Sequence, residues 1–170
     1  MYLLKPTKVY MLEGIDDDHV ASRRMGRMLD AIGFPSHDVV PVTDDNLPEV
    51  VAEIQDAWPP AEVPEGTYRE RMRPLIFTRQ QLGDDKPDID EMLKQLPEGT
   101  PRNILEAILG CFRTRNFRER EFDQKRNHVC WTAWEFGTMT GCPHGCGYCG
   151  YGRGGKFIAV ALNLEEFIER

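Results

Sequence analysis

A glycine-rich stretch near the end of the sequence constrains most strongly what this chain can form. From Thr138 to Phe157 it runs TMTGCPHGCGYCGYGRGGKF, and it holds three of the five cysteines, Cys142, Cys146 and Cys149. Their spacing is C-x3-C-x2-C. Glycine removes the Cβ clashes that tight curvature would otherwise cause. The stretch is therefore predicted to be a compact loop that brings three thiols together.

Three neighbouring thiols indicate metal or redox chemistry. An odd number of cysteines, with three of them clustered, argues against a secreted disulfide framework. Iron–sulfur clusters are held by cysteine thiolates, usually four. Three thiolates from one loop would leave one iron of a four-iron cluster open to a small molecule. Zinc is the alternative, because His128, Cys130 or His144 could supply a fourth ligand.

The same stretch also fits a phosphate-binding loop in part. Gly150 to Lys156 has the spacing G-x-x-x-x-G-K. However, Phe157 stands where a serine or threonine would ligate magnesium, and a strand rather than a helix is predicted to follow. We therefore reject the phosphate-loop hypothesis.

Composition indicates a folded globular protein. Of the 170 residues, 41% are hydrophobic and 29% are charged, and no apolar run is long enough to span a bilayer. The first residues, MYLLKPTKVYML, have neither a long apolar core nor a small-residue cleavage site, so no signal peptide is predicted. We expect a cytoplasmic protein without a membrane partner.

The net charge of −7 does not favour binding to nucleic acid. One segment departs from this average. RTRNFREREFDQKR, from Arg113 to Arg126, carries six basic and three acidic residues. It is either a solvated helix face with internal ion pairs or a local patch that contacts phosphates.

The first 58 residues alternate between strand and helix patterns, which predicts a small α/β unit over residues 1–58. TKVYML and HDVVPV have strand composition. A helix is predicted after Asp16–Asp18 and ends before Gly33. NLPEVVAEIQDAW predicts an amphipathic helix with Asn46 as its N-cap.

The remaining residues divide into two segments. Residues 59–127 contain a proline-rich linker, a strand in RPLIFT and two helices, the second with Thr100 as its N-cap. Residues 128–170 contain a predicted strand over His128–Thr138, the cysteine loop, a strand in KFIAVAL and a helix in NLEEFIER that Asn163 caps.

The cysteine motif carries a family resemblance. An aromatic residue, Tyr148, directly precedes the third cysteine, and this pattern resembles the signature of the radical S-adenosylmethionine superfamily. TGCPHGCGYC, then a short loop and KFIAVALNLEEFIE, is similar to the spore photoproduct lyase family, in which a strand and an Asn-Leu-Glu-Glu helix start follow the cysteines. KVYMLEGIDDDHVASRRMGRMLDAIGF resembles the opening α/β unit of that family. The strong match covers Thr140 to Glu169 and the weaker one Thr7 to Asp45.

The resemblance implies cofactors and an activity. Cys142, Cys146 and Cys149 would ligate a 4Fe-4S cluster, and S-adenosyl-L-methionine would chelate the fourth iron. One electron, from an external donor, would cleave the sulfonium and release a 5′-deoxyadenosyl radical that abstracts hydrogen from a substrate. Tyr148 would pack near the adenine. In the lyase the substrate is a thymine dimer in DNA, so the resemblance implies a DNA-repair lyase with DNA as its partner.

The resemblance also implies a fold. Residues 128–170 would form the first strands of a partial (β/α) barrel, with the cysteine loop at the carboxyl end of a strand. A complete barrel needs about 250 residues. We therefore expect a C-terminal continuation or a partner chain to supply the rest, and the chain alone to be inactive. The alternative function is a non-catalytic zinc or iron–sulfur module for protein or nucleic-acid interaction.

Overall fold

The structure is a computed structural model that describes residues 5–56, 74–81, 86–111, 138–141 and 157–168. Within these ranges the elements follow one another in the order β1 (Val9–Leu12), α1 (His19–Ile32), β2 (Val40–Val42), α2 (Leu47–Asp56), β3 (Leu75–Thr78), α3 (Ile89–Gln95), α4 (Arg102–Ile108), β4 (Met139–Thr140), β5 (Ile158–Ala161) and α5 (Leu164–Ile168).

The described strands form one sheet in the order β2-β1-β3-β5-β4. β1, β2, β3 and β5 are parallel, whereas β4 runs antiparallel to β5, with Thr140 opposite Ala159. The predicted α/β class is confirmed. Strands from all three predicted segments join this sheet. The predicted domain boundaries, after residues 58 and 127, fall among residues outside the described ranges and stay a prediction.

Two apolar clusters cover the two faces of the sheet. Leu75 and Phe77 lie in the cluster with α1, while Tyr10 and Ile76 lie in the cluster with α2, α3 and α4. Alternate residues of a strand point to opposite faces, so both faces of β3 are covered. This explains why all four residues of β3 are buried and why its sequence, LIFT, is almost continuously apolar. Helices therefore pack on both sides of a largely parallel sheet.

The ends of α1 agree with the sequence prediction. The Asp18 carboxylate accepts hydrogen bonds from the backbone N–H groups of Val20 and Ala21 at 2.9 and 3.1 Å. Gly33 follows the helix with φ +66°, and the N–H of Phe34 reaches back to the Leu29 carbonyl at 3.0 Å. This pattern is a Schellman motif, which favours glycine because its φ is positive.

The predicted Thr100 cap is wrong. Asn46 stands at the predicted N-cap position of α2, where its carbonyl accepts from the N–H of Val50 at 3.0 Å, but its side chain does not cap the helix. The Asn46 side-chain oxygen accepts from the N–H of Thr43, before the helix, and its amide nitrogen donates to the Pro41 carbonyl. The Thr100 hydroxyl donates to the Pro97 carbonyl, so α4 begins one residue later than predicted, with Pro101 at the N-cap. In both cases the polar side chain stabilises the preceding turn instead, because short polar side chains bond readily to nearby backbone.

The strand predicted over His128–Thr138 lies almost entirely outside the described residues. The adjoining described strand is β4, Met139–Thr140, which begins where the prediction ends. The residue before β4, Thr138, also bonds to β5: its carbonyl accepts a hydrogen bond from the N–H of Ala161 at 2.8 Å.

Gly26 offers a simple stability test because it occupies the interior of α1 and a Cβ there would meet nothing within 4 Å. Glycine in a helix costs about 1 kcal/mol relative to alanine. We expect Gly26→Ala to raise the free energy of unfolding by about 0.5–1 kcal/mol, as measured by urea denaturation. A loss of stability would mean that a contact beyond the described residues requires the glycine.

Candidate functional site at the ends of the cysteine loop

The predicted ligands lie outside the described residues. Residues 142–156 include Cys142, Cys146, Cys149 and the predicted adenine contact Tyr148, and the structure describes the residues on either side. The geometry of the site therefore comes from its two ends, Gly141 and Phe157.

The two ends of the loop lie side by side. Gly141 directly follows β4, and Phe157 directly precedes β5, its antiparallel partner. Gly141 has φ +84°, and a Cβ on it would lie 2.0 Å from the carbonyl oxygen of Phe157. No side chain larger than hydrogen fits there without moving the backbone. The pairing of β4 with β5 therefore brings Gly141 and Phe157 together, which lowers the entropy cost of gathering the cysteines that lie between them in the sequence.

In a β/α barrel the loops of the site follow the carboxyl ends of the parallel strands. Here the cysteine segment begins at the other end of the sheet, beside the amino ends of the parallel strands. It follows the carboxyl end of its own strand, as expected. Because β4 is antiparallel, that end lies beside the amino ends of β3 and β5, where the N–H of Ile158 donates to the Pro74 carbonyl at 3.0 Å. The barrel expectation implies parallel strands on both sides of the loop, and the described β4 and β5 differ from it.

A charged cluster lies at the same end of the sheet, on β1, which is two strands away from β5. The Tyr10 hydroxyl donates to Glu53 Oε2 at 2.6 Å, and Lys8 Nζ donates to the same oxygen while lying 5.4 Å from the Tyr10 ring centre. Burial, and then the bond to Glu53, raises the pKa of Tyr10, while the bonds from Lys8 and Tyr10 lower the pKa of Glu53. These groups line an open depression of about 410 Å³ with Pro74 at its rim.

The three groups of this cluster satisfy one another. Glu53 is an acceptor for both donors, so the tyrosine stays protonated and the carboxylate stays ionised at neutral pH. The arrangement holds α2 against β1 and offers no activated nucleophile or base. Sequence analysis did not single out these residues, because their pairing joins positions far apart in the chain.

A buried polar network lies at the carboxyl ends of β3 and β5. Thr78, Gln80 and Asn163 are each at most 3% exposed. The Asn163 side chain accepts from the backbone N–H of Gln80 at 2.8 Å and donates to its carbonyl at 3.0 Å. It also donates to Glu166, at 2.9 Å. The predicted cap therefore joins the end of β3 to the start of α5, because its amide has both a donor and an acceptor.

Ion pairs extend this network to α1. Arg24 donates to the Leu162 carbonyl and to Glu165, 2.6 Å from Nη2 to Oε1, and Arg79 pairs with Glu166. The hydrogen bond with Glu165 raises the pKa of Arg24, and the bond from Arg24 lowers the pKa of Glu165. All of these groups have partners within the chain, so the network fixes the positions of β3, β5, α1 and α5 relative to one another.

Removing Asn163 tests the contribution of this network to stability. Asn163→Ala would remove the two hydrogen bonds between the Asn163 side chain and the buried backbone of Gln80, and losing the partner of a buried hydrogen bond costs about 1–3 kcal/mol. We expect a loss of about 3 kcal/mol in the free energy of unfolding, measured in urea. Asn46→Ala is the matched control, because Asn46 also bonds to backbone before a helix but is partly exposed. An equal loss in both variants would contradict the assigned role.

Cys111 is the one cysteine among the described residues, and it is half-buried. Its thiol lies 3.6 Å from the Leu109 carbonyl, and burial raises its pKa. A thiol with a raised pKa is mostly protonated at neutral pH and is a poor metal ligand. Across the described ranges, no group of three or more His, Cys, Asp or Glu residues is placed to hold a metal ion.

Comparison with known proteins adds no relative. No protein-family model, curated protein or solved structure matches the chain. Among the helices that the structure describes, none has the length and apolar character needed to cross a membrane. The functional hypothesis therefore depends on the cysteine motif and on the geometry of the loop ends.

Proposed function

We propose that the chain binds a 4Fe-4S cluster through Cys142, Cys146 and Cys149 and belongs to the radical S-adenosylmethionine enzymes. The observation that carries the proposal is the C-x3-C-x2-C spacing in a segment whose ends, Gly141 and Phe157, adjoin. The donor set fits the group, since three thiolates suit iron–sulfur chemistry and leave one iron open. When bound, the cluster and S-adenosyl-L-methionine supply one-electron cleavage of the sulfonium to a 5′-deoxyadenosyl radical.

The residues of this chain would perform binding and positioning. The antiparallel pairing of β4 with β5 holds Gly141 and Phe157 close together. The segment between them would therefore lose less conformational entropy when its cysteines converge on a metal. Tyr148 would pack near the adenine of S-adenosyl-L-methionine. An external electron donor is part of the proposal, and the cytoplasm, where thiols stay reduced, is the proposed compartment.

Reconstitution of the full chain with iron and sulfide in the absence of air tests the proposal. We expect about four irons and four sulfides per chain, as in a 4Fe-4S cluster. Adding S-adenosyl-L-methionine to the reduced protein should change its electron paramagnetic resonance spectrum. Iron binding without any response to S-adenosyl-L-methionine would leave a structural cluster, and failure to bind iron would overturn the proposal.

A second function has one observation in its favour. The strands on either side of the cysteine segment, β4 and β5, are antiparallel, whereas a β/α barrel would connect parallel strands. Closely spaced cysteines between two antiparallel strands also suit a non-catalytic zinc or iron–sulfur module that contacts protein or nucleic acid. Zinc would need a fourth ligand, for which His144, His128 and Cys130 are the candidates. One equivalent of zinc without iron, in protein purified anaerobically, would favour this module.

The substrate is a separate part of the proposal. Hydrogen abstraction from a thymine dimer in DNA is the reaction implied by the resemblance to the spore photoproduct lyase family. A dimer-reversal assay tests it, with the reconstituted chain joined to the C-terminal continuation or the partner chain that completes the barrel. Production of 5′-deoxyadenosine without dimer reversal would indicate a radical enzyme that acts on another substrate.

A further inference from the structure

Gly141 is closely packed at the point where the cysteine segment leaves the sheet. It directly precedes Cys142, and its φ of +84° lies in the left-handed region that favours glycine. A Cβ at this position would lie 2.0 Å from the Phe157 carbonyl oxygen and 3.1 Å from the Ile158 Cα. Both are backbone atoms, so no side-chain rotation can relieve the contact. Room for a side chain at Gly141 therefore requires that β4 and β5 move apart.

The backbone on the Phe157 side of this contact is anchored in the sheet. Phe157 is 4% exposed and belongs to the apolar cluster that contains residues of α2, α3 and α4. The N–H of Ile158 donates to the Pro74 carbonyl at 3.0 Å, and all of β5 pairs with β3. The described β4, by contrast, is a strand of two residues that pairs with β5. A clash at Gly141 is therefore expected to displace β4 and to leave β5 in place.

We propose that Gly141 is a positioning residue for the metal centre, and that metal binding and the pairing of β4 with β5 stabilise each other. This inference rests on the proposed binding of a cluster by the three cysteines. Cys142 is bonded directly to Gly141, so a displacement of β4 moves the backbone of the first ligand. Coupling between two equilibria is reciprocal, so strand pairing that favours metal binding is itself favoured by the bound metal to the same extent.

Release of iron to a chelator from the reconstituted full chain tests the role of Gly141. We expect Gly141→Ala to release iron about tenfold faster than the unaltered chain, the lower end of the loss found when groups that orient metal ligands are altered. The electron paramagnetic resonance spectrum of the reduced variant should also differ from that of the unaltered chain, because one ligand is displaced. Circular dichroism establishes that the variant is folded.

Two other glycines provide matched controls. Gly99 has φ +86°, nearly that of Gly141, but a Cβ there would meet nothing within 4 Å. Gly110 has a backbone contact as close as that of Gly141, with Arg79, but beyond the carboxyl end of β3. Gly99→Ala therefore reproduces the backbone strain, and Gly110→Ala adds a clash at the other end of the sheet. Each folded control should keep the iron-release rate and the spectrum of the unaltered chain. Release as fast as that of Gly141→Ala from a folded control would overturn the proposal.

Amide hydrogen exchange in the unaltered chain tests the reciprocal effect and depends on no variant. The Ala161 N–H donates to the Thr138 carbonyl at 2.8 Å and reports the pairing beside β4, while the Gln81 N–H donates to the Gly110 carbonyl at 2.8 Å at the other end of the sheet. Reconstitution with iron and sulfide should slow exchange at Ala161 about tenfold more than at Gln81. Equal slowing at the two amides would mean that the metal stabilises the whole fold, and would contradict the coupling.

The proposed function and this inference can fail separately. If the unaltered chain binds no iron, both are wrong. If it binds iron but Gly141→Ala retains that iron as well as Gly99→Ala does, the cluster assignment stands and the role of Gly141 is wrong. If Gly141→Ala does not fold, the comparison of exchange at Ala161 and Gln81 decides the coupling.

Discussion

Cys146→Ala is expected to abolish iron binding. The middle cysteine of C-x3-C-x2-C would supply one of three thiolates, and the loop contains no other cysteine to replace it. Losing one of three protein ligands leaves two irons of a cube without protein donors, which cysteine normally provides. We expect iron and sulfide in reconstituted Cys146→Ala to fall to the level of a protein without a cluster, together with the brown colour.

Cys111→Ala is the matched control for this experiment. Cys111 is a half-buried thiol with a raised pKa, outside the loop. Its removal should leave iron and sulfide contents unchanged. If both variants keep their iron, the metal is bound elsewhere or non-specifically. If both lose it, the loss reflects unfolding, which circular dichroism of the two variants would detect.

Gly110→Ala is expected to cause a large loss of stability. Gly110 ends the turn after α4 with φ +68°, and a Cβ on it would lie 1.8 Å from the carbonyl oxygen of Arg79. Its own carbonyl accepts from the N–H of Gln81 at 2.8 Å, and the Thr78 hydroxyl donates to the Ile108 carbonyl at 2.8 Å. The methyl group must push this turn away from the end of β3 and break these bonds.

The expected loss is about 3–5 kcal/mol in the free energy of unfolding, from backbone strain, overpacking and lost hydrogen bonds together. Gly33→Ala separates these causes. Gly33 has nearly the same backbone, φ +66°, but open space around its Cβ position, so it should lose only about 1–2 kcal/mol. Urea denaturation gives both values. Equal losses would mean that the turn after α4 relaxes around the methyl group without cost.

The helices and the parallel strands were accessible from the sequence because local patterns specify them. Asp18 and Gly33 bracket α1 through hydrogen bonds to their near neighbours, and the buried run LIFT has the composition of a central strand. Caps were less accessible. Asn46, Thr100 and Asn163 all precede helices, yet their side chains bond to other backbone groups, and the choice among neighbouring acceptors depends on how each turn packs.

Local sequence patterns could not predict whether the cysteine segment begins at the amino or the carboxyl ends of the parallel strands. A strand followed by a glycine-rich loop looks the same whether its partner is parallel or antiparallel. The direction is set by the pairing of Met139 and Thr140 with Val160 and Ala159. For the same reason the bonds from Lys8 and Tyr10 to Glu53 left no signal in the sequence, since each joins residues more than 40 positions apart.

The sequence by itself determined the kinds of elements, the α/β class and a set of three thiols suited to one metal centre, because helix periodicity, strand composition and ligand spacing are local properties. Tertiary structure alone decided which strands are neighbours and at which end of the parallel strands the cysteine segment begins. It also decided that Arg24 of α1 pairs with Glu165. These outcomes depend on contacts between distant residues, whose free energies appear only when the sheet brings them together.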